Sequence, residues 1–372
     1  MSNSIELREQ DFASFFRVPF DVYGAGSPYV SPMKSDLRRF LDRGKNPLFR
    51  EHGRGTFFTA HRAGRAIGRI VAHVHDDSNR IHQLRRGYFG YFDCADEPDA
   101  AAALLDAAEQ WAREQGLTEL AGNFNLTAMQ QMGVMTDGFA ATPYTDMQFN
   151  PPHIPRLLAA NGFASFFPMR TFEIDLRRIG PDSLRGPRER ELETSRRMSW
   201  VPLRRRTFAT QMHDAMRILN EGFVDNPMFV PLTRDEFMFQ AQEMMWIVDD
   251  RIAMLAYEDG QPAGIIICIP DLNQFVRDTR SRIGWSTPVH YIRHVRNRRR
   301  ALLVFAGVRP AFQRRGLSGA LLSRCVAAMK NAGYESLGIT WVSDENVPSL
   351  RQVEKMGGRP LHRLHLYRKE LQ

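Results

Sequence analysis

Between Arg309 and Leu322 the chain reads RPAFQRRGLSGALL. Gln313, Arg314 and Arg315 bring hydrogen-bond donors to the entry of an alanine- and leucine-rich run that contains Gly316 and Gly319. A helix N-terminus exposes unpaired N–H groups and about half a positive charge. Glycine lets such a backbone approach an anion with no Cβ in the way. The stretch therefore predicts a phosphate-binding turn. The apolar strand Ala301–Val308 delivers it to the C-terminal edge of a parallel strand pair, where ligands of such sheets gather. Neither GxxxxGK[ST] nor GxGxxG is present, so the turn is not of the Walker or dinucleotide kind.

A second segment follows at a fixed distance. VSDENVPSLRQVEKMGG (Val342–Gly358) places Asn346, Ser349, Lys355 and Gly357 around a second short helix. Together the two segments resemble the acetyl-CoA-binding segments of the GNAT acetyltransferases. The first family pattern, Q/R-x-x-G-x-G/A, is met by Gln313, Arg314, Arg315, Gly316 and Leu317, with Ser318 departing at the last position and Gly319 next to it. The second, N-x-x-A/S-x-x-x-x-x-K-x-G, is met at Asn346, Ser349, Lys355 and Gly357. The matching part is Ala301–Tyr367.

The resemblance implies acetyl-CoA as co-substrate and no metal. It implies direct transfer to an amine, on a small molecule or a peptide. Ala306, Gly307, Val308, the turn from Gln313 to Gly319, Asn346 and Ser349 would hold the coenzyme. The backbone N–H of Val308 would stabilise the tetrahedral oxyanion. The family's tyrosine acid falls at Val353 and is absent, leaving Tyr334 and Tyr367 as substitutes. A thiol of pKa about 8.5 leaves adequately without one. Asp225, Asp271 and Glu345 are the candidate bases, each in an expected loop, where such residues are more often turn or capping carboxylates.

These residues need a scaffold, and the chain writes it twice. Helical stripes run through Leu104, Leu105, Ala108 and Trp111, and through Leu321, Leu322, Cys325, Val326 and Met329. Each helix follows an apolar strand, Arg86–Asp93 or Ala301–Val308, and stops at a glycine, Gly116 or Gly333. A hairpin is expected at Ile252–Glu258 and Pro262–Ile269. Closing strands are expected at Thr171–Leu176 for the first half and His362–Tyr367 for the second. The expected fold is α/β (α+β): two GNAT-like domains, residues 1–185 and 186–372, each a mixed, mostly antiparallel sheet with a central parallel strand pair flanked by helices. The first half carries Asp93, Asp96, Glu97 and Asp99 where the second has its turn. Clustered carboxylates repel a diphosphate, so the first domain is read as degenerate.

Composition bounds the rest. The 372 residues carry a net charge of +8 and a sequence pI near 9.7. The excess lies in arginine-rich stretches such as RHVRNRRR (Arg293–Arg300). Without an aromatic-interleaved RNA motif or a zinc finger, a nucleic-acid partner is not expected. No apolar run reaches the roughly 20 residues of a membrane span. No membrane partner and a cytoplasmic location are the expectations. Cys94, Cys268 and Cys325 lie far apart and read as core residues. His290 and His294 are four apart but lack a third ligand. Two alternatives stay open: a non-catalytic protein that senses CoA or binds an acidic partner, and an aminoacyl- or other acyltransferase on the same tandem plan.

Overall fold

The computed structural model describes residues 4–24, 26–224, 226, 228–241 and 244–372. Two compact units emerge, and they do not follow chain order. One comprises Met1–Arg170, Phe275–His290 and Leu361–Gln372; the other comprises Thr171–Gln274 and Tyr291–Pro360.

The first unit is built on β1 (Glu6–Glu9), β2 (Gly53–Arg62), β3 (Arg65–His75), β4 (Arg86–Cys94), β5 (Glu119–Gly122) and β6 (Val134–Asp137). Strands β1 to β4 pair antiparallel in sequence order. The crossover helix Pro98–Glu114 then makes β5 parallel to β4. Its stripe Leu104, Leu105 and Ala108 is fully buried, with Ile70, Phe89 and Leu120 in the same core. Each such leucine contributes roughly 1.5–3 kcal/mol of apolar burial.

The second unit contains the end of β7 (Ala164–Asp175), then β8 (Met198–Pro202), β9 (Ala253–Glu258), β10 (Gln261–Pro270), β11 (Arg300–Val308) and β12 (Ser336–Ser343). The β9–β10 hairpin turns through Asp259 and Gly260, both at positive φ, as an Asp-Gly turn of type I′ requires. Antiparallel pairing continues to β11, and helix Leu317–Asn331 makes β12 parallel to it. Leu321, Leu322, Cys325, Val326 and Met329 are all buried as the stripe requires. The Cys268 and Cys325 sulfurs lie 3.6 Å apart in this core, and both cysteines are free thiols.

The closing strands differ from expectation. Strand β13 (Arg359–Glu370) does not complete the second half. Its distal part pairs with β5, Tyr367 opposite Gly122, and with β6, His365 opposite Val134. Tyr367 and Leu371 join the first unit's core. Conversely Phe172, Ile174 and Leu176 pack with Met329 and Leu337 in the second core. The linear division at 185/186 thus gives way to units that exchange their last strands. An alternating strand pattern fixes which face is buried, not which neighbour supplies the hydrogen bonds.

Candidate functional site

The second unit's parallel pair opens at a bulge. Pairing of β10 with β11 skips one residue, since Ile267 faces Phe305 while Cys268 faces Leu303, leaving Val304 extra. The parallel register of β11 with β12 covers only Arg300–Leu303 against Ser336–Ile339. Burial changes at the same point. Ala301, Leu302 and Leu303 are buried, whereas 304–308 are half-buried or exposed, Ala306 most of all. The N–H of Arg309 bonds the Ala263 carbonyl on β10. Strand alternation therefore turns the N–H and C=O of Val308 the other way, toward the β12 side. Ala306, Gly307 and Val308 lie beyond the parallel register of β11 with β12.

The turn after β11 sits at its mouth. Gly316 caps helix Leu317–Asn331 at φ +90°, a conformation that demands glycine. Arg314 is also left-handed, at φ +61°. The N–H groups of residues 314–319 meet no acceptor among the described residues. Gln313 does not point outward as a free donor, because its Nε2 donates to the Val308 carbonyl at 3.0 Å and ties the turn to the strand end. Arg315 is also committed. Its guanidinium makes a two-pronged pair with Glu258 at 2.7 and 2.6 Å, and that hydrogen bond holds the Glu258 carboxyl below its ordinary pKa. The exposed Arg314 guanidinium meets no acid among the described residues and is the turn's free cation. Gly319 serves packing. The Glu189 side chain of helix Pro187–Thr194 fills the space a Cβ would take, with Oε1 at 2.9 Å. Arg188 lies on the same side, its Nη1 donating to the Arg314 carbonyl at 3.3 Å. Leu317 is buried and Ser318 half-buried.

Asn346 and Ser349 reach the same sheet edge, since β12 runs parallel to β11. There the Asn346 Oδ1 accepts the Ser349 N–H at 3.2 Å and caps helix Val347–Lys355. Glu345 is exposed in the turn before it. Asp271 is not brought to the site. It binds Arg300 at 2.8 Å and accepts the Asn273 N–H, at the start of β11, about 26 Å of strand from Val308. Asp225 lies outside the described residues. Tyr334 follows the far end of the Leu317–Asn331 helix and donates to Asp249 at 2.9 Å. Tyr367 belongs to the first unit's core. Val353, at the position of the family's acid, is a buried core residue.

Glu221 is a carboxylate that sequence reasoning missed. It binds Arg309 at 2.7 Å and Arg217 at 3.2 Å, and the Arg309 hydrogen bond holds its pKa down. A carboxylate so held is a weak base. Its only sequence signal was an arginine four residues before it on the same helix.

The first unit has the same bulge and no opening. Its β3–β4 register slips between Arg69 and Val71, and β4 pairs with β5 only as far as Phe89. Here the chain after β5 fills the gap. Asn125 Oδ1 accepts the Tyr91 N–H at 2.6 Å, and Asn123 Oδ1 accepts the Phe92 N–H at 3.1 Å. All nine residues of β4 are buried. The acids that replace the turn are each paired: Asp93 with Arg69, Asp96 with Arg156, and Glu97 and Asp99 with Arg62. Among the described residues no group of three metal-ligating side chains forms.

The acetyltransferase (GNAT) family model matches residues 213–357. Protein YghO of Escherichia coli K12 is 25% identical over 98% of this chain and 94% of its own length. A bacterial ceramide synthase of Caulobacter vibrioides is 25% identical over 96% of this chain and 94% of its own. A tandem GNAT protein from the clavulanic acid biosynthesis pathway superposes with a TM-score of 0.61 over 99% of both chains, at 13% identity. A GCN5-related N-acetyltransferase from Sphaerobacter thermophilus gives 0.52 over 100% of this chain and 97% of its own, at 13% identity. Residues 213–357 thus match the acetyltransferase (GNAT) family, and the chain as a whole takes the fold of tandem GNAT proteins.

Proposed function

We propose that the second unit transfers an acyl group from coenzyme A to an amine. The observation that carries this reading is the asymmetry between the two bulges: one lies beside a turn whose six amides meet no acceptor among the described residues, and the other is sealed by Asn123 and Asn125. The diphosphate of CoA docks on the amides of residues 314–319, with Arg314 supplying charge. The pantetheine arm enters between β11 and β12 past Ala306 and Gly307. The neutral amine attacks the thioester carbonyl, and the Val308 N–H stabilises the oxyanion. Collapse of that intermediate expels the CoA thiolate and forms the amide. The proton shed by the amine passes to solvent or to the exposed Glu345. Glu221, held by two arginines, takes no part.

Acetyl-CoA is the donor the sequence resemblance implies. A longer acyl chain and a lipid amine acceptor form the second reading. It is favoured by the relative named a ceramide synthase, ceramide being an N-acylated long-chain amine. The test is release of CoA thiol from acetyl- and long-chain acyl-CoA with a panel of amines, with the amide identified by mass spectrometry. Amine-dependent release is expected. CoA binding with no release for any donor and acceptor would instead assign a sensing role.

A further inference from the structure

An amphipathic helix of a soluble domain turns its apolar stripe inward. Helix Thr287–Asn297 does the reverse. None of its residues is buried. Val289, Ile292 and Val295, spaced three apart on one face, are 66%, 52% and 36% exposed. The half-buried residues are Thr287, His290, Tyr291 and His294. The approach to the helix continues the theme. Ile283 is 74% exposed, and Trp285 is 95% exposed. Patches of this kind mark interaction sites.

Charge names the partner. Residues 280–300 contain seven arginines and no acid. Arg298, Arg299 and Arg300 are neutralised by Asp249, Glu335 and Asp271. Arg280, Arg282, Arg293 and Arg296 are exposed and face no carboxylate among the described residues. A second copy of the chain is a poor occupant, since an isologous contact would bring these like charges together. A polyanion such as nucleic acid leaves the apolar crest unexplained.

We propose that Arg282–Asn297 docks the protein on the surface of an anionic phospholipid bilayer. The helix lies in the interface plane, with Val289, Ile292 and Val295 in the acyl boundary. Trp285 sits at headgroup level, and Arg282, Arg293 and Arg296 meet lipid phosphates. The helix is 11 residues long, so it rests on the bilayer and does not cross it. The sequence-based expectation of no membrane partner rested on the lack of a spanning segment, which says nothing about peripheral binding. This inference stands independently of the acyl-transfer reading.

The test is flotation of the full chain with phosphatidylcholine vesicles, with and without about 30 mol% phosphatidylglycerol. The expected result is binding to the anionic vesicles only, falling steeply between about 0.1 and 0.5 M salt. Trp285→Ser combined with Ile292→Ser, and separately Arg293→Glu with Arg296→Glu, should each weaken binding at least about tenfold with an unchanged circular dichroism spectrum. These side chains are exposed, so neither variant threatens the core. Failure to float with anionic vesicles would overturn the proposal, as would equal binding by the variants. So would a wild-type dimer, seen by light scattering, that the Trp285→Ser/Ile292→Ser variant dissolves.

Discussion

Replacing Asp93 by Asn tests whether the first unit is a scaffold. Asp93 is 3% exposed and Arg69 is fully buried. The Asp93 Oδ2 accepts the Arg69 Nε at 2.7 Å, and its Oδ1 accepts the Tyr23 hydroxyl at 2.6 Å. Two further Arg69 donors meet the Phe15 carbonyl at 2.9 Å and the Tyr29 hydroxyl at 2.8 Å. Asn keeps the shape and removes the charge, leaving a buried guanidinium uncompensated. Breaking a buried pair from one side costs roughly 3–5 kcal/mol. That raises the unfolded population of this unit about 10²- to 10³-fold or more. Removing both partners, as Arg69→Met with Asp93→Leu, should restore part of the loss, since no lone charge remains, while the orphaned Tyr23, Tyr29 and Phe15 groups keep some of it. The assay is urea unfolding, with hydrogen exchange over 86–94 as the local readout. CoA affinity should stay within about twofold of wild type, because the pair lies in the sealed unit. A loss under about 1 kcal/mol, or a tenfold loss of CoA affinity, would refute the reasoning.

Three further outcomes follow from the same geometry. Burial lowers the pKa of His73 to about 4 while its ring nitrogen holds the Phe124 carbonyl. Between pH 4 and about 6.5 the unfolded chain binds a proton there that the native chain refuses, so stability falls as pH falls, by about 3 kcal/mol across the window. The His73→Gln variant should reduce the slope of an unfolding-versus-pH series by one proton, with His61 and His362, also lowered by burial, supplying what remains. Arg314→Glu should weaken CoA binding about tenfold in low-salt calorimetry and much less at high salt. Asp271→Asn should lower the thermal midpoint by removing the Arg300 partner, yet leave turnover unchanged, because Asp271 sits at the far end of β11.

The stripes on the helices Pro98–Glu114 and Leu317–Asn331, the β9–β10 hairpin and the glycine turn at the start of the second helix were legible because each is a local pattern. Gly316 could be read as a tight turn from its type and neighbours, and its φ of +90° is the conformation only glycine adopts freely. What stayed hidden depends on distant partners. Nothing near Arg315 announces Glu258, which reaches it across 57 positions. Gly319 looked like room for a phosphate until Glu189 was seen to fill it. The exchange of β7 and β13 is a choice of neighbour that an alternating pattern leaves open. Asp271 looked free because its partner, Arg300, lies 29 residues ahead.

Hydrogen exchange with and without CoA reads the decisive amides directly. First-turn amides with no acceptor exchange freely until a ligand covers them. CoA should slow exchange in peptides spanning 313–320 and leave those spanning 93–100 untouched. Protection confined to the first unit, or no change at 313–320 under saturating CoA, would contradict a diphosphate seated on that turn.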